Sequence, residues 1–218
     1  MSKKKILTFH DRIEVFDRLN PSAKDRYTRP KGLVEIYERK PGEKDRKLRR
    51  KSNLIVYRGR SWIMERCLNV NCGQASVPTN QDMWINWFGV GTGGVGTDPF
   101  DPIPPELTDI DLSSECPIAS TGTDLADFRG GNFYKHPINS ITFEQDPDNN
   151  NAYLIAALTT TLTEDQCNGY LLSEAGLFVS ESSTAGYAGP FYLFARVTFS
   201  TIEKLSEREL DFVWYLYF

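Results

Sequence analysis

Leu210-Asp211-Phe212-Val213-Trp214-Tyr215-Leu216-Tyr217-Phe218 is the stretch that decides the fold. Read at period two, it sets Leu210, Phe212, Trp214, Leu216 and Phe218 on one face, an apolar row that another layer has to cover. Upstream, Phe191, Leu193, Ala195, Val197 and Phe199 repeat the pattern, with Tyr192, Arg196, Thr198 and Ser200 on the other side. The link between them, residues 201–209, is charged and supplies little core. The two strands are therefore expected to pair antiparallel, with the end of the chain tied into a sheet. Glu174 and Arg196 are the charges inside Leu171–Val179 and Phe191–Phe199, and they are placed to pair across the sheet.

Further toward the N-terminus, Ile138–Gln145 puts Ile141 and Phe143 on one face, and residues 146–151 are all turn formers. Tyr153–Thr163 sets Leu154, Ala156, Leu158 and Leu162 against a side made mostly of threonines. That makes five strands in roughly eighty residues, the spacing of a sandwich or barrel. The expected fold class is mainly β: an antiparallel β-sandwich or partly open barrel, with one short helix and an extended basic N-terminal arm.

Before this block, Leu33–Tyr37 alternates as a strand does. Arg39–Lys51 contains a Pro-Gly turn and a strongly basic run, read as a hairpin tip or a long loop. Asn53–Tyr57 is a short strand or the entry to a helix from about Tyr57 to Leu68, where Ile63, Cys67 and Val70 share a face with Trp62. Residues 69–73 end that helix. Trp84–Gly91 is a buried strand running into glycines, and the prolines of residues 98–105 forbid regular structure after it. Leu107–Leu112 is expected to form a short turn of helix. The organisation is an arm over residues 1–31, with one short helix in Asp11–Asn20, and a β domain over 32–218. Its long loops fall at about 39–52, 92–132 and 180–190.

Of the 218 residues, 40% are apolar, enough to bury a core. No apolar run approaches eighteen residues, and the N-terminus lacks the apolar segment of a secretory signal, so no membrane span and no Sec export are expected. Cys67, Cys72, Cys116 and Cys167 are irregularly spaced and read as buried, inert thiols. With only His10 and His136 beside them, no metal site is expected, and no cofactor.

Charge is unevenly distributed. Residues 1–60 hold 19 Lys and Arg against 8 Asp and Glu, a balance of +11; the remainder holds 6 against 21, a balance of −15, and the sum is the −4 of the whole chain. Such polarity favours attraction between copies, basic segment to acidic body, weakening with salt.

Gly89-Val90-Gly91-Thr92-Gly93-Gly94 matches the dinucleotide fingerprint and follows a strand, but the prolines at 99 and 102 forbid the helix that would meet a pyrophosphate. The glycines read as a turn where backbones approach closely. Asp146-x-Asp148-x-Asn150 starts like a calcium loop, yet Asn151 and Ala157 stand where Gly and Glu are required. No nucleophile elbow is present, His136 has no partner signature, and an enzyme is not expected. The basic run Lys44–Lys51 has the charge of a phosphate contact without aromatics for base stacking, so nucleic acid ranks below an inter-subunit contact.

The order of features resembles that of small tailed-bacteriophage virion proteins. It runs from an Asn-Leu-Ile-Val segment leading into a helix (Asn53–Val56) to an aromatic strand entering Gly-Val-Gly-Thr (Phe88–Thr92). A Ser-Glu-Ala-Gly-Leu-Phe strand (Ser173–Phe178), a Phe-Ala-Arg-Val-Thr-Phe strand (Phe194–Phe199) and an aromatic last strand (Phe212–Phe218) follow. The likeness covers about residues 50–218; the basic arm, the proline-rich loop Asp98–Pro105 and the acidic tract after it depart from it. It implies a non-catalytic subunit of the tail, neck or baseplate, assembled in the host cytoplasm into the virion as a symmetric homo-oligomer. Its partners would be copies of itself and other virion proteins. The alternatives are a capsid-surface decoration protein and a receptor- or glycan-binding adsorption module. The expected partner contacts are Lys3, Lys4, Lys5, Arg12, Arg18, Arg26 and Arg29 in the arm and Arg46, Lys47, Arg49, Arg50 and Lys51 after it. Trp84, Trp87 and Phe100 are further candidate loop contacts, as a stacking platform, with the core as the competing reading for the two tryptophans.

Overall fold

Four hairpins and two lone strands build the sheet. The computed structural model describes residues 31–68, 83–146 and 149–217. The strands are β1 (Lys31–Arg39), β2 (Arg46–Ile55), β3 (Trp84–Gly91), β4 (Ala126–Arg129), β5 (Asn132–Pro137), β6 (Ser140–Asp146), β7 (Asn149–Leu162), β8 (Leu171–Ser180), β9 (Tyr192–Glu203) and β10 (Glu209–Tyr217), with α1 at Tyr57–Leu68. The spatial order is β4-β5-β3-β8-β9-β2-β1-β10-β7-β6, every neighbour antiparallel, and the sheet curls into a half-barrel. This is the mainly β, partly open barrel expected from strand spacing.

Each half of the sheet is hairpin, lone strand, hairpin. Among the described residues, the sheet ladder that joins the halves runs through Leu54 and Ile55 of β2, opposite Arg196 and Ala195 of β9. They then fold face to face, so that Phe88 of lone strand β3 lies 4.8 Å, ring to ring, from Phe212 of lone strand β10. Phe199 of β9 lies 6.3 Å from the same ring. Here the expected pairing of β9 with β10 is corrected. β9 pairs with β8 and β2, β10 pairs with β1 and β7, and the two apolar rows meet across the core instead of edge to edge. Period two alone reveals a face to be covered but not which strand lies alongside it.

The row on β10 is as read: Leu210, Phe212, Trp214 and Leu216 are all buried. The row on β9 is broken by a register shift opposite Leu177 and Phe178. Ala195, Val197 and Phe199 face the main core, while Leu193 and Phe191 turn to a second cluster with Trp87, Phe178 and Leu112. β3, β8 and β9 are thus covered on both faces, which explains their nearly continuous apolar sequence.

α1 closes the corner where the halves join. Trp62 packs edge-on against Phe194 at 5.9 Å. The helix approaches β9 so closely that a Cβ on Gly59 would stand 2.2 Å from the Phe194 carbonyl. The stretch over about 39–52, read as a hairpin tip or a long loop, is the hairpin, with its tip at residues 40–45, because Arg46–Ile55 is strand; Arg46, Lys47, Arg49, Arg50 and Lys51 all lie on β2. Leu107–Leu112 forms a simple turn at residues 107–108 and no helix, since Glu106 and Asp109 close it on themselves through the Glu106 N–H to Asp109 Oδ2 bond of 2.9 Å. The arm helix at Asp11–Asn20, the helix end at 69–73 and Phe218 lie outside the described residues.

Candidate functional site

The basic strand is not a bare cationic surface. Lys47 Nζ lies 2.6 Å and Arg50 Nε 3.3 Å from Glu35, and Arg46 lies 2.6 Å from Glu38, which also pairs with Arg208. Burial pushes the Glu35 carboxyl up, but the Lys47 ammonium, the Tyr37 hydroxyl and Arg50 outweigh it and hold it below the usual carboxylate range. The same balance, with Arg208 and Arg46, holds Glu38 low. Arg49 donates to the carbonyls of Ser200 (3.3 Å) and Thr201 (3.2 Å), bridging the split where β2 leaves β9. Lys51 remains solvent-exposed. Lys3, Lys4, Lys5, Arg12, Arg18, Arg26 and Arg29 lie outside the described residues.

Trp84, Trp87 and Phe100 are not brought together. Trp87 is fully buried and donates its Nε1–H to the Ser182 carbonyl at 2.7 Å, so it belongs to the core. Trp84 is half-exposed at the start of β3, whereas Phe100, 77% exposed, follows the strand's other end. Eight residues of strand separate those ends by roughly 23 Å.

What Phe100 belongs to is a strap, residues 92–112, laid along the outside of β9. The Pro99 carbonyl accepts from Thr201 N–H at 2.9 Å, the Phe100 carbonyl from Ser200 Oγ at 3.3 Å, and the Ile103 carbonyl from Thr198 Oγ1 at 2.7 Å. Asp109 Oδ2 accepts from Arg196 at 2.7 Å. The glycine motif at the strap's root is the close-packed turn expected: a Cβ on Gly94 would stand 1.9 Å from the Ser173 carbonyl. Its amides do grip an anion, and the anion is the protein's own. Glu174 accepts from the backbone N–H groups of Gly93 (3.1 Å), Ser113 (3.0 Å) and Ser114 (2.8 Å), with Arg196 beside it.

A second buried ionic cluster sits under β4 and β5. Lys135, 2% exposed, contacts Glu115, lies 3.6 Å from Asp127 and 4.0 Å over the Phe178 ring. Arg129 covers it from outside, pairing with Glu115 and Asp127. Burial raises the Glu115 carboxyl above its usual range despite the pull of Lys135 and Arg129. Lys204, also buried, donates to Asn168 Oδ1 and the Leu205 carbonyl, both at 3.0 Å, and orders the β7–β8 connection. Cys116 and Cys167 are buried free thiols; burial pushes Cys116 up to about 11 and Cys167 higher still. They are the inert kind expected.

Where the two ends of the curled sheet approach each other without pairing, a cleft of about 620 Å³ opens between β5 and β7. His136 and Asn139 line one side, Thr161, Asp165 and Gln166 the other, and the loop carrying Thr123 and Asp124 closes it. His136 is 2% exposed. Burial lowers its imidazole below the ordinary value, so it is neutral at pH 7. Its Nδ1 stands 2.8 Å from the Pro137 carbonyl, which fixes the proton there and leaves Nε2 an acceptor. Neither the seam nor this histidine's role is visible in the sequence, because the cleft is made by strands from opposite ends of the sheet.

A curled antiparallel β domain with a strapped outer face and a polar cleft at its open seam is the class this geometry defines. Neither protein-family models, characterised protein sequences nor solved structures give a match to the chain.

Proposed function

We propose that this chain is a non-enzymatic structural subunit of a tailed-phage virion, joining neighbouring subunits in the tail, neck or baseplate through its basic arm and long loops. The observation that carries the reading is the strap. It is pinned to β9 at four places, three of its backbone carbonyls and the Asp109 carboxylate, yet Phe100, Ile103 and Ile110 point outward with 77%, 51% and 61% of their surface exposed. Apolar side chains held out on a pinned backbone fit a partner surface, since presentation in a fixed conformation lowers the ordering cost of binding. The opposed charges of the first 60 residues and the remainder support the same reading, by attracting copy to copy. An image of the purified virion in which the chain is located and its copies counted tests it. Absence from the particle overturns it. Unchanged incorporation of a chain lacking residues 1–31, at moderate salt, would remove the arm from the joint.

A further inference from the structure

The seam cleft carries more polar capacity than the fold uses. Asn139 accepts from the Thr161 N–H through Oδ1 at 2.8 Å, and Gln166 accepts from the Thr163 N–H through Oε1 at 3.0 Å. Each amide therefore spends its oxygen on the backbone and keeps its NH₂ to donate. Gln166 is 7% exposed and His136 2%, and among the described residues neither Gln166 Nε2 nor His136 Nε2 has a partner. Both side chains are nearly buried, yet their unpartnered nitrogens open on the cleft, where a ligand with matching hydrogen-bonding groups can replace water. Asp124 faces the same space, exposed and held by no hydrogen bond among the described residues.

We infer that the seam cleft is a binding site for a neutral saccharide unit, held by His136 Nε2, Asp124, Asn139 Nδ2 and Gln166 Nε2. The ligand class follows from the donor and acceptor set. Amide NH₂ groups that donate alternate with an imidazole and a carboxylate that accept, and a ring hydroxyl both donates and accepts. Among the described residues no Lys or Arg lines the cleft, while Asp124 and Asp165 do, so phosphate and carboxylate ligands are repelled. The volume, about 620 Å³, holds a mono- or disaccharide. With no aromatic ring among the described lining residues to stack on the sugar, affinity is weak, on the order of 1 mM. The site lies apart from Trp84, Trp87 and Phe100, and the inference stands independently of the virion reading.

Saturation-transfer NMR on the intact chain tests it. The probes are glucose, galactose, N-acetylglucosamine, maltose and lactose, each at about 50 mM. At least one is expected to show saturable transfer, weakened at least tenfold by Asp124→Ala and abolished by Thr123→Trp, which fills the cleft from an exposed position. Since Asp124 is exposed and makes no hydrogen bond or ion pair among the described residues, its variant reports on binding even if the tryptophan disturbs the loop. Monosaccharide binding identifies a free sugar or chain end as sufficient; binding of the disaccharides alone identifies a unit within a polymer. No transfer from any probe overturns the inference, as does transfer unchanged in Asp124→Ala. Equal or tighter binding of glucose 6-phosphate or N-acetylneuraminic acid overturns the ligand class.

Discussion

Arg196 on β9 reaches diagonally to Glu174 on the neighbouring strand β8, placing Nε 2.9 Å and Nη2 2.6 Å from the same carboxylate oxygen, with both residues buried. Because Glu174 also receives three strap amides and Arg196 also holds Asp109, the pair fastens the strap to the sheet as well as β8 to β9. Glu174→Gln leaves a buried guanidinium short of its counter-charge and is expected to cost about 3–5 kcal/mol. Replacing both residues, Glu174→Gln with Arg196→Met, should cost less than the sum of the single changes. Urea unfolding of the three variants measures this, and strictly additive costs would show that the two act separately.

Gly94→Ala tests the strap's root. The new Cβ would meet the Ser173 carbonyl at 1.9 Å, a backbone atom that cannot step aside, so a loss of about 3 kcal/mol or more is expected. Gly96→Ala, two residues on, meets nothing closer than Ile103 Cδ1 at 3.9 Å and should change stability by about 0.5 kcal/mol at most. Equal losses at the two positions would mean the strap is not seated as described.

Much of this arrangement is legible residue by residue. The alternation of Leu210 through Leu216, the helix at Tyr57–Leu68, the strand ending at Gly91 and the Glu174–Arg196 pair all follow from local period and charge, which act over a few residues. What is hidden is decided at long range. Nothing local says that β10 lies between β1 and β7, because any covered face satisfies its apolar row. The glycine motif shows the need for close approach but not that Glu174, some eighty positions later, fills it. Arg46, Lys47 and Arg50 read as free cations because their glutamates, Glu35 and Glu38, lie on the neighbouring strand of a hairpin whose register the sequence leaves open.

His136 predicts a pH dependence with a definite sign. Its folded pKa is below the ordinary 6.5, so the unfolded chain binds the proton more readily. The stability this group contributes is present above about pH 6.5 and is lost as pH falls through the folded value, by at most about 1.4 kcal/mol per pH unit. Glu115, raised from 4.5, acts in the opposite sense nearer to acid, because its protonation favours the fold. Comparing thermal unfolding of the protein and of His136→Gln between pH 7.5 and 5.5 isolates the histidine. The variant's curve should be flatter, and parallel curves would contradict the burial of a neutral imidazole.

If the strap is a joint between subunits, as proposed, folding and assembly separate at it. Phe100 and Ile103 bond to β9 through their main-chain carbonyls, and the side chains of Phe100, Ile103 and Ile110 are mostly exposed and contribute little to the core. Changing each to Ser should alter stability by about 0.5 kcal/mol or less, and in combination should not slow folding. If the strap is the joint between subunits, the same triple variant loses incorporation into particles, or loses self-association in sedimentation velocity, because the apolar centre of an interface carries most of its binding energy. Unchanged assembly by a triple variant of native stability would move the joint off the strap. A large loss of stability would instead show that these side chains pack against this chain itself, and the exposed row would then need another explanation.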